Sequence, residues 1–323
     1  MVVRRVTSAD EKFMLELCRR VDLSLVRPTP NPKVGCLIIK NGKEIGFGVH
    51  AIAGGPHAEV IAGQIAGEEI AGSTIYVTLE PCSHFGRTSP CADFLIENNV
   101  ARVVYAIADP TSASGGAEKL RNAGIEVVAN ICESEAKQTL APWLHFQKTK
   151  TPYVLLKFAV TKDGYIARED GSSKWISNEE SREAVHKLRA QSDAVLVGTN
   201  TARIDEPKLD ARIDGVVKQP VAYVMGLSDV SAFVPNAKML KTQDPHLALA
   251  AMSADGVQSV LLEGGKALAD AFLAAGMVCE IWVFIGEAEF GSGVTAPHFS
   301  NSEWKVQNQQ RFGGDELTVY VPA

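Results

Sequence analysis

The chain has 323 residues, 46% of them apolar and 22% charged, with a formal net charge of −6. At about 100–200 residues per domain that length predicts two domains, and the acidic balance argues against a dedicated duplex-DNA or RNA binder, whose surface is basic. No run reaches the roughly 18 apolar residues of a membrane helix, and no apolar stretch follows Arg4-Arg5 to make a signal peptide, so a cytoplasmic protein with no membrane partner is expected.

Taken in chain order, Ser8-Ala9-Asp10-Glu11 has the form of a capping box, and Phe13, Met14, Leu17, Cys18, Val21 and Leu25 trace a helical apolar stripe behind it. Pro28, Pro30 and Pro32 end that helix and force an extended loop around Asn31. Val34 to Ile39 reads as a buried strand, Asn41-Gly42 as a turn and Glu44 to Val49 as the returning strand of a hairpin. A helix is predicted from Ala58 to about Ala71, a strand from Ser73 to Leu79, a loop from Glu80 to Pro90 and a helix from Cys91 to Asn98. Val100 to Ala108 reads as a strand, Ala117 to Ala123 as a helix and Ile125 to Val128 as a short strand. This order predicts an α/β sandwich with a mixed sheet.

The polar tract His145 to Pro152 marks the domain boundary, placing one domain at 1–148 and a second at 149–323. The second alternates again. Tyr153 to Val160, Ala194 to Gly198, Val221 to Met225, Ser259 to Glu263, Glu280 to Ile285 and Leu317 to Val321 read as strands. One helix, capped by Ser177 and Glu180, runs to about Gln191, and another spans Lys266 to Ala275.

The six cysteines are scattered, which excludes a disulfide framework. Cys82 and Cys91 stand apart from the rest by their neighbours. His57-Ala58-Glu59 opens a predicted helix, Pro81-Cys82 follows a strand, and Cys91 opens a second helix behind Pro90. One imidazole and two thiolates suit a catalytic zinc, which takes three protein groups and leaves a fourth position for water. Zinc makes hydroxide available near neutral pH, and a carboxylate that does not ligate it can carry the proton. His57, Cys82 and Cys91 are therefore the predicted metal ligands and Glu59 the proton shuttle; His84 reads as a polar residue of the pocket. Two core cysteines with a surface histidine, or a structural zinc, are the plainer alternatives. Zinc deaminases carry His-x-Glu followed by Pro-Cys-x-x-Cys; here eight residues separate the two cysteines instead of two.

That longer loop, Thr78-Leu79-Glu80-Pro81-Cys82-Ser83-His84-Phe85-Gly86-Arg87-Thr88-Ser89-Pro90-Cys91, resembles the zinc loop of the bifunctional deaminase/reductases of riboflavin biosynthesis. Asn31-Pro32-Lys33-Val34-Gly35 and His57-Ala58-Glu59-Val60 resemble the same family's other deaminase motifs, in the same order. The resemblance implies a cytidine-deaminase-like three-layer α/β/α sandwich acting on a diaminopyrimidinone that carries a ribosylamino 5′-phosphate, with Asn31, His84 and Arg87 as substrate contacts. Asn31 also reads simply as a turn residue between prolines. After Asp109-Pro110 the chain departs from the family, with Thr111-Ser112-Ala113-Ser114-Gly115-Gly116 where an Asn-Pro turn is usual.

In the second half, Leu156-Lys157-Phe158-Ala159, Lys174-Trp175-Ile176-Ser177 and His186 to Ala194 are similar to the family's reductase domain. The resemblance implies a dihydrofolate-reductase-like α/β fold that uses NADPH to reduce the ribosyl chain to ribityl. It implies Ala159, Trp175, Thr201, Asp205, Gly265, Lys266 and Ala267 at the cofactor, and Ser173, Arg189, Leu209, Arg212 and Glu263 at the substrate. Glu263-Gly264-Gly265 before a helix has its own physical reason, since glycines there let backbone N–H groups approach a phosphate. Arg189 and Arg212 fit a phosphate by their forked donors; a solvated helix face is the other reading of Arg189, and core filling the other reading of Trp175. Glu206 stands where the family has a second Asp, and Gly226-Leu227 where it has Asp-Ser. These departures leave open a deaminase with a degenerate reductase domain; a nucleic-acid deaminase and a non-catalytic zinc module are the remaining alternatives. The expected partner is a small phosphorylated pyrimidine and no nucleic acid, with a homo-oligomer left open.

Overall fold

The computed structural model describes residues 8–85, 89–170, 176–300 and 302–323. The chain divides into two compact units, Met1–Gln147 and Lys148–Ala323. In the first, the elements run α1 (Ser8–Leu23), β1 (Gly35–Lys40), β2 (Lys43–Val49), α2 (Ala58–Ala66), β3 (Thr74–Leu79), α3 (Cys91–Glu97), β4 (Arg102–Ile107), α4 (Gly116–Asn122), β5 (Glu126–Val128), α5 (Glu133–Thr139) and α6 (Ala141–Thr149). The sheet order is β2-β1-β3-β4-β5. β1 is antiparallel to both β2 and β3, whereas β3–β4 and β4–β5 are parallel, so the sheet is mixed as expected.

The two-residue period of the strands sorts the core onto two faces. Leu37, Ile39, Tyr76 and Val104 meet Met14, Leu17 and Val21 of α1 together with Ala136, Leu140 and Trp143. Cys36, Ile38, Ile75, Val77 and Val103 meet Ala58 and Ala62 of α2, Leu95 of α3 and Leu120 of α4. The unit is thus a three-layer α/β/α sandwich. β2 carries Gly46 and Gly48 beneath α2, and this explains how closely that helix sits. A Cβ on Gly46 would strike the Ala62 carbonyl, and one on Gly48 would lie 2.7 Å from the Ala58 carbonyl oxygen.

Two helices escape the sequence pattern. α5 starts behind Cys132, which sits at φ 52° in the left-handed region and carries no ordinary capping signature. α6 has Pro142 in its first turn, which reads as a break in sequence but costs nothing there, because that turn's N–H groups have no helical acceptor. The polar tract that begins at His145 is the second half of α6. The helix predicted to reach Ala71 ends at Ala66, where Gly67 takes φ 55°, and a 3₁₀ turn continues over Gly67–Ile70.

The second unit runs β6 (Tyr153–Val160), β7 (Tyr165–Ala167), α7 (Glu179–Gln191), β8 (Ala194–Gly198), α8 (Thr199–Asp205), β9 (Val221–Met225), β10 (Lys238–Leu240), α9 (Pro245–Ala254), β11 (Ser259–Leu262), α10 (Lys266–Ala274), β12 (Glu280–Ile285), β13 (Val294–Thr295), β14 (Trp304–Phe312) and β15 (Asp315–Pro322). Its main sheet has the order β10-β9-β8-β11-β6-β12-β15-β14, and β7 pairs with β13. The pairings are parallel from β10 through β12 and antiparallel from β12 to β14. α9 and α10 cover one face through Leu249, Met252 and Phe272; Leu188 of α7 and Ala202 of α8 pack on the other.

The cap of α7 is Asn178, not Ser177. Its Oδ1 accepts from the Ser181 amide at 2.9 Å, while Asp315 accepts from the Asn178 amide and the Ser181 hydroxyl. β7, α8, β10, α9, β13 and β14 are further elements that the sequence pattern did not show. β14 has a row of exposed residues from Lys305 to Arg311, so it lacks the apolar alternation by which a half-buried strand is recognised.

Candidate active site

In the first unit, three loops meet above the sheet. His57 is the N-cap of α2, Cys82 lies just past β3, and Cys91 is the first residue of α3. Their donor atoms all lie within 4.8 Å of one another. His57 Nδ1 is 3.2 Å from Cys91 Sγ and 3.6 Å from Cys82 Sγ. A tetrahedral zinc with ordinary Zn–S and Zn–N bonds needs N···S separations of about 3.5 Å, so the donor set fits the ion in type and spacing. The Cys91 amide donates to Cys82 Sγ at 3.3 Å. Hydrogen bonding from Cys91, joined by His57 and against the cost of burial, pulls the Cys82 thiol down to about 4. Glu59 stands in the first turn of α2 and is 3% exposed. Burial raises its carboxyl above the ordinary range, and the neighbouring Cys82 adds to the rise.

These groups open on a cavity of about 530 Å³ whose walls include Asn31, His50, His57, Glu59, Glu80, Cys82, His84, Asp109 and Trp143. Asn31 and His84 both line this cavity; Arg87 lies outside the described residues. Asn31 is more than a turn residue. His50 Nδ1 lies 2.8 Å from the Pro56 carbonyl, which only accepts, so Nδ1 carries the proton and Nε2 accepts from Asn31 Nδ2 at 3.0 Å. Burial keeps His50 below the ordinary histidine range, and its ring packs edge-on to His57 at 5.2 Å. His50, Glu80, Asp109 and Trp143 were missed in sequence. Glu80 and Asp109 lie in segments that resemble the family but were given no role there, His50 belongs to no motif, and Trp143 lies on a helix that the pattern did not reveal.

The second unit has a larger cavity, about 700 Å³, at the carboxyl ends of parallel strands, where open α/β sheets bind ligands. Ala159, Thr201, Asp205, Gly265, Lys266, Arg189, Leu209, Arg212 and Glu263 line it, and Ala267 does not. Ser173 and Trp175 lie outside the described residues. Gly264-Gly265 joins β11 to α10, and a Cβ on Gly264 would be 2.7 Å from Leu268. The Lys266 and Ala267 amides at the start of α10 have no helical acceptor. Free amides behind two glycines suit a dinucleotide phosphate, so the residues present fit NADPH.

Arg189 is not a solvated side chain: its Nε and Nη2 donate to the two Glu263 oxygens at 2.6 and 2.9 Å, and its side chain is 13% exposed. Burial works against the Glu263 charge, yet Arg189 holds that carboxyl below its usual range. Lys157, missed as a site residue, lines the same cavity, and burial lowers its ammonium. Arg212 is half exposed and paired with Asp210 at 3.2 Å. Glu206 takes φ 42° as the C-cap of α8. Gly226 has φ 146° and abuts Thr199, and neither it nor Leu227 is part of the cavity wall.

Comparison with known proteins brings both sites under one description. The family model for the RibD C-terminal domain matches residues 152–315. The model for the cytidine and deoxycytidylate deaminase zinc-binding region matches residues 7–107. The riboflavin biosynthesis protein RibD of Mycobacterium tuberculosis (strain ATCC 25618 / H37Rv) is 40% identical over 99% of each chain. The chain belongs to the RibD family. Another member, from Aquifex aeolicus, is 40% identical over 82% of this chain and 83% of its own. The crystal structure of a diaminohydroxyphosphoribosylaminopyrimidine deaminase/5-amino-6-(5-phosphoribosylamino)uracil reductase from Thermotoga maritima is 32% identical, with a TM-score of 0.86 over 98% of this chain and 99% of that one. Acinetobacter baumannii RibD is 33% identical with a TM-score of 0.82 over the same shares. As a RibD protein, the chain couples a zinc-binding deaminase domain to an NADPH-dependent reductase domain. No helix among the described residues is long and apolar enough to cross a membrane.

Proposed function

We propose that residues 1–148 hydrolytically deaminate 2,5-diamino-6-(5-phosphoribosylamino)pyrimidin-4(3H)-one and that residues 149–323 then reduce its ribosyl chain to ribityl with NADPH, in the cytoplasm and without a nucleic-acid partner. The observation that carries this reading is the convergence of His57, Cys82 and Cys91 beside the buried Glu59, with His57, Glu59 and Cys82 opening on the same cavity. His57, Cys82 and Cys91 hold the ion. Zinc, when bound, acidifies a water so that hydroxide is available near neutral pH. Glu59 takes the proton that the water loses and returns it to the departing amine; its raised carboxyl suits a group that must both accept and give. Asn31, oriented by His50, binds the pyrimidine with His84, while Arg87 meets the charged end of the substrate.

In the second domain, Gly265, Lys266 and Ala267 hold the cofactor phosphate, and Ala159, Trp175, Thr201 and Asp205 complete the NADPH site. NADPH supplies the hydride. Ser173, Leu209, Arg212 and the Arg189–Glu263 pair bind the substrate; of the two arginines, Arg212 carries the phosphate contact, because Arg189 is largely buried with its Nε, Nη1 and Nη2 all engaged, whereas the Arg212 side chain is half exposed. The test is a coupled assay on the zinc-loaded protein. Ammonia release from the diaminopyrimidinone phosphate, followed by one NADPH oxidised per substrate, is the expected result. Ammonia release with no NADPH oxidation on the deaminated intermediate overturns the second half, and no ammonia release overturns the first.

A further inference from the structure

Part of the wall of the first cavity belongs to the segment 109–117, from which Asp109, Thr111, Ser112 and Ala113 line the cavity. Thr111 is engaged internally, donating to Asp109 Oδ1 through its amide at 2.8 Å and its hydroxyl at 2.7 Å. The Thr111 hydroxyl and carbonyl also accept from the Ala113 and Ser114 amides, and Ala117 packs into the core; four consecutive residues, 80–83, supply the hydrogen bonds that tie the segment to the metal loop. Glu80 Oε1 accepts from the Gly115 amide at 3.1 Å and the Ala117 amide at 3.0 Å, and Oε2 accepts from the Asp109 amide at 3.3 Å. The Ser83 amide donates to the Ala113 carbonyl at 3.0 Å, and its hydroxyl donates to the Ser114 carbonyl at 2.5 Å. Gly116 lies flat on Pro81, where any Cβ would strike the Pro81 carbonyl. Glu80 is 8% exposed.

We infer that Glu80 is a positioning residue of the deamination site: its carboxylate clamps the 109–117 wall onto the strand end that carries Cys82, so that the substrate-holding wall and the metal loop move as one body. Both carboxylate oxygens are needed. All three partners are backbone N–H donors, and one oxygen alone cannot reach the two ends of the segment. A charged acceptor strengthens each bond, and leaving a buried amide without one is costly. The chemical step stays with Glu59 and the metal loop: Glu80 also lines the cavity, but both its oxygens are taken up by the wall amides. Its loss therefore falls on substrate affinity and spares turnover.

The inference rests on the proposed deaminase activity, and the test separates the two. Glu80→Gln preserves shape but sets an amide N–H against at least one of the three donors. In the zinc-loaded full chain, Glu80→Gln raises KM for the diaminopyrimidinone phosphate by about 10-fold, with kcat within about twofold and zinc content unchanged. Amide hydrogen exchange within 109–117 quickens while that of α2 does not. Ser83→Ala, which removes a single bond to the same wall, gives a smaller rise in KM of the same kind. Should Glu80→Gln fail to fold, Ser83→Ala and its exchange pattern carry the test. Wild-type KM together with wild-type exchange in 109–117 overturns the inference, and so does a fall in kcat at unchanged KM. If the wild-type protein releases no ammonia, the activity reading fails, while the exchange measurement still decides whether Glu80 holds the wall.

Discussion

Glu59 is the residue whose role depends most on its surroundings. A carboxylate this buried usually needs a cationic partner, and its nearest charged neighbours are the metal-binding groups themselves. Glu59→Gln is expected to keep its zinc and lose deamination by about 10²–10⁴-fold, as read by metal analysis and ammonia release on the same preparation; unchanged turnover would make the site a structural zinc. Arg189 and Glu263 pose the opposite case, a buried pair whose members satisfy each other. Arg189→Met leaves Glu263 buried without its fork and is expected to cost about 3–5 kcal/mol, read by denaturant unfolding. The sign with pH follows from the depressed Glu263 carboxyl. The pair's contribution is complete above the ordinary carboxylate range and is lost as pH falls through the lower folded value. The gap between wild type and variant therefore narrows in acid.

At the scale of elements, α2 carries the imidazole and the proton shuttle on its first turn and is seated by two glycines of β2. Gly48→Ala puts a Cβ 2.7 Å from the Ala58 carbonyl oxygen, so helix or strand must give. The expected cost is about 1–3 kcal/mol, seen as a lower Tm, and because the shift displaces His57, zinc affinity falls with it. A Tm loss with unchanged zinc affinity would mean that the strand, not the helix, absorbs the shift. Several of the elements that the sequence pattern did not show share a physical character; α9 does not, since Asp244 caps it and Ala248, Leu249 and Met252 are buried at helical spacing. α6 is entered through a proline and leaves in a polar tail, β14 has no apolar face, and β7, β10 and β13 are two or three residues long. Periodicity needs several turns or alternations to register.

At the scale of the whole molecule, the two cavities lie in separate compact units, and the metal ligands belong to the first alone. Removing zinc with a chelator is therefore expected to abolish ammonia release and to leave NADPH-dependent reduction of the deaminated intermediate at its native rate, with zinc restoring the first activity. Loss of both activities on chelation would show that the reductase needs the metal-loaded first unit.

The sequence by itself determined the metal site, because His-x-Glu and the Pro-Cys pair place three donors on loop and helix starts whose chemistry is local, and the eight-residue gap between the cysteines distinguishes this zinc loop from shorter ones. It also determined the two-domain α/β character, the principal strands of both sheets and the Gly-Gly turn before α10. Only the tertiary structure decided how Asn31 is oriented, since its partner His50 comes from another strand end. It alone joined Arg189 to Glu263, 74 residues apart, and Glu80 to a wall 29 to 37 residues away. Ligands of one ion must be near in space whatever the fold, so their spacing leaves a trace in sequence. A buried carboxylate finds its donors through the packing of distant segments, and nothing in its own neighbours records which ones.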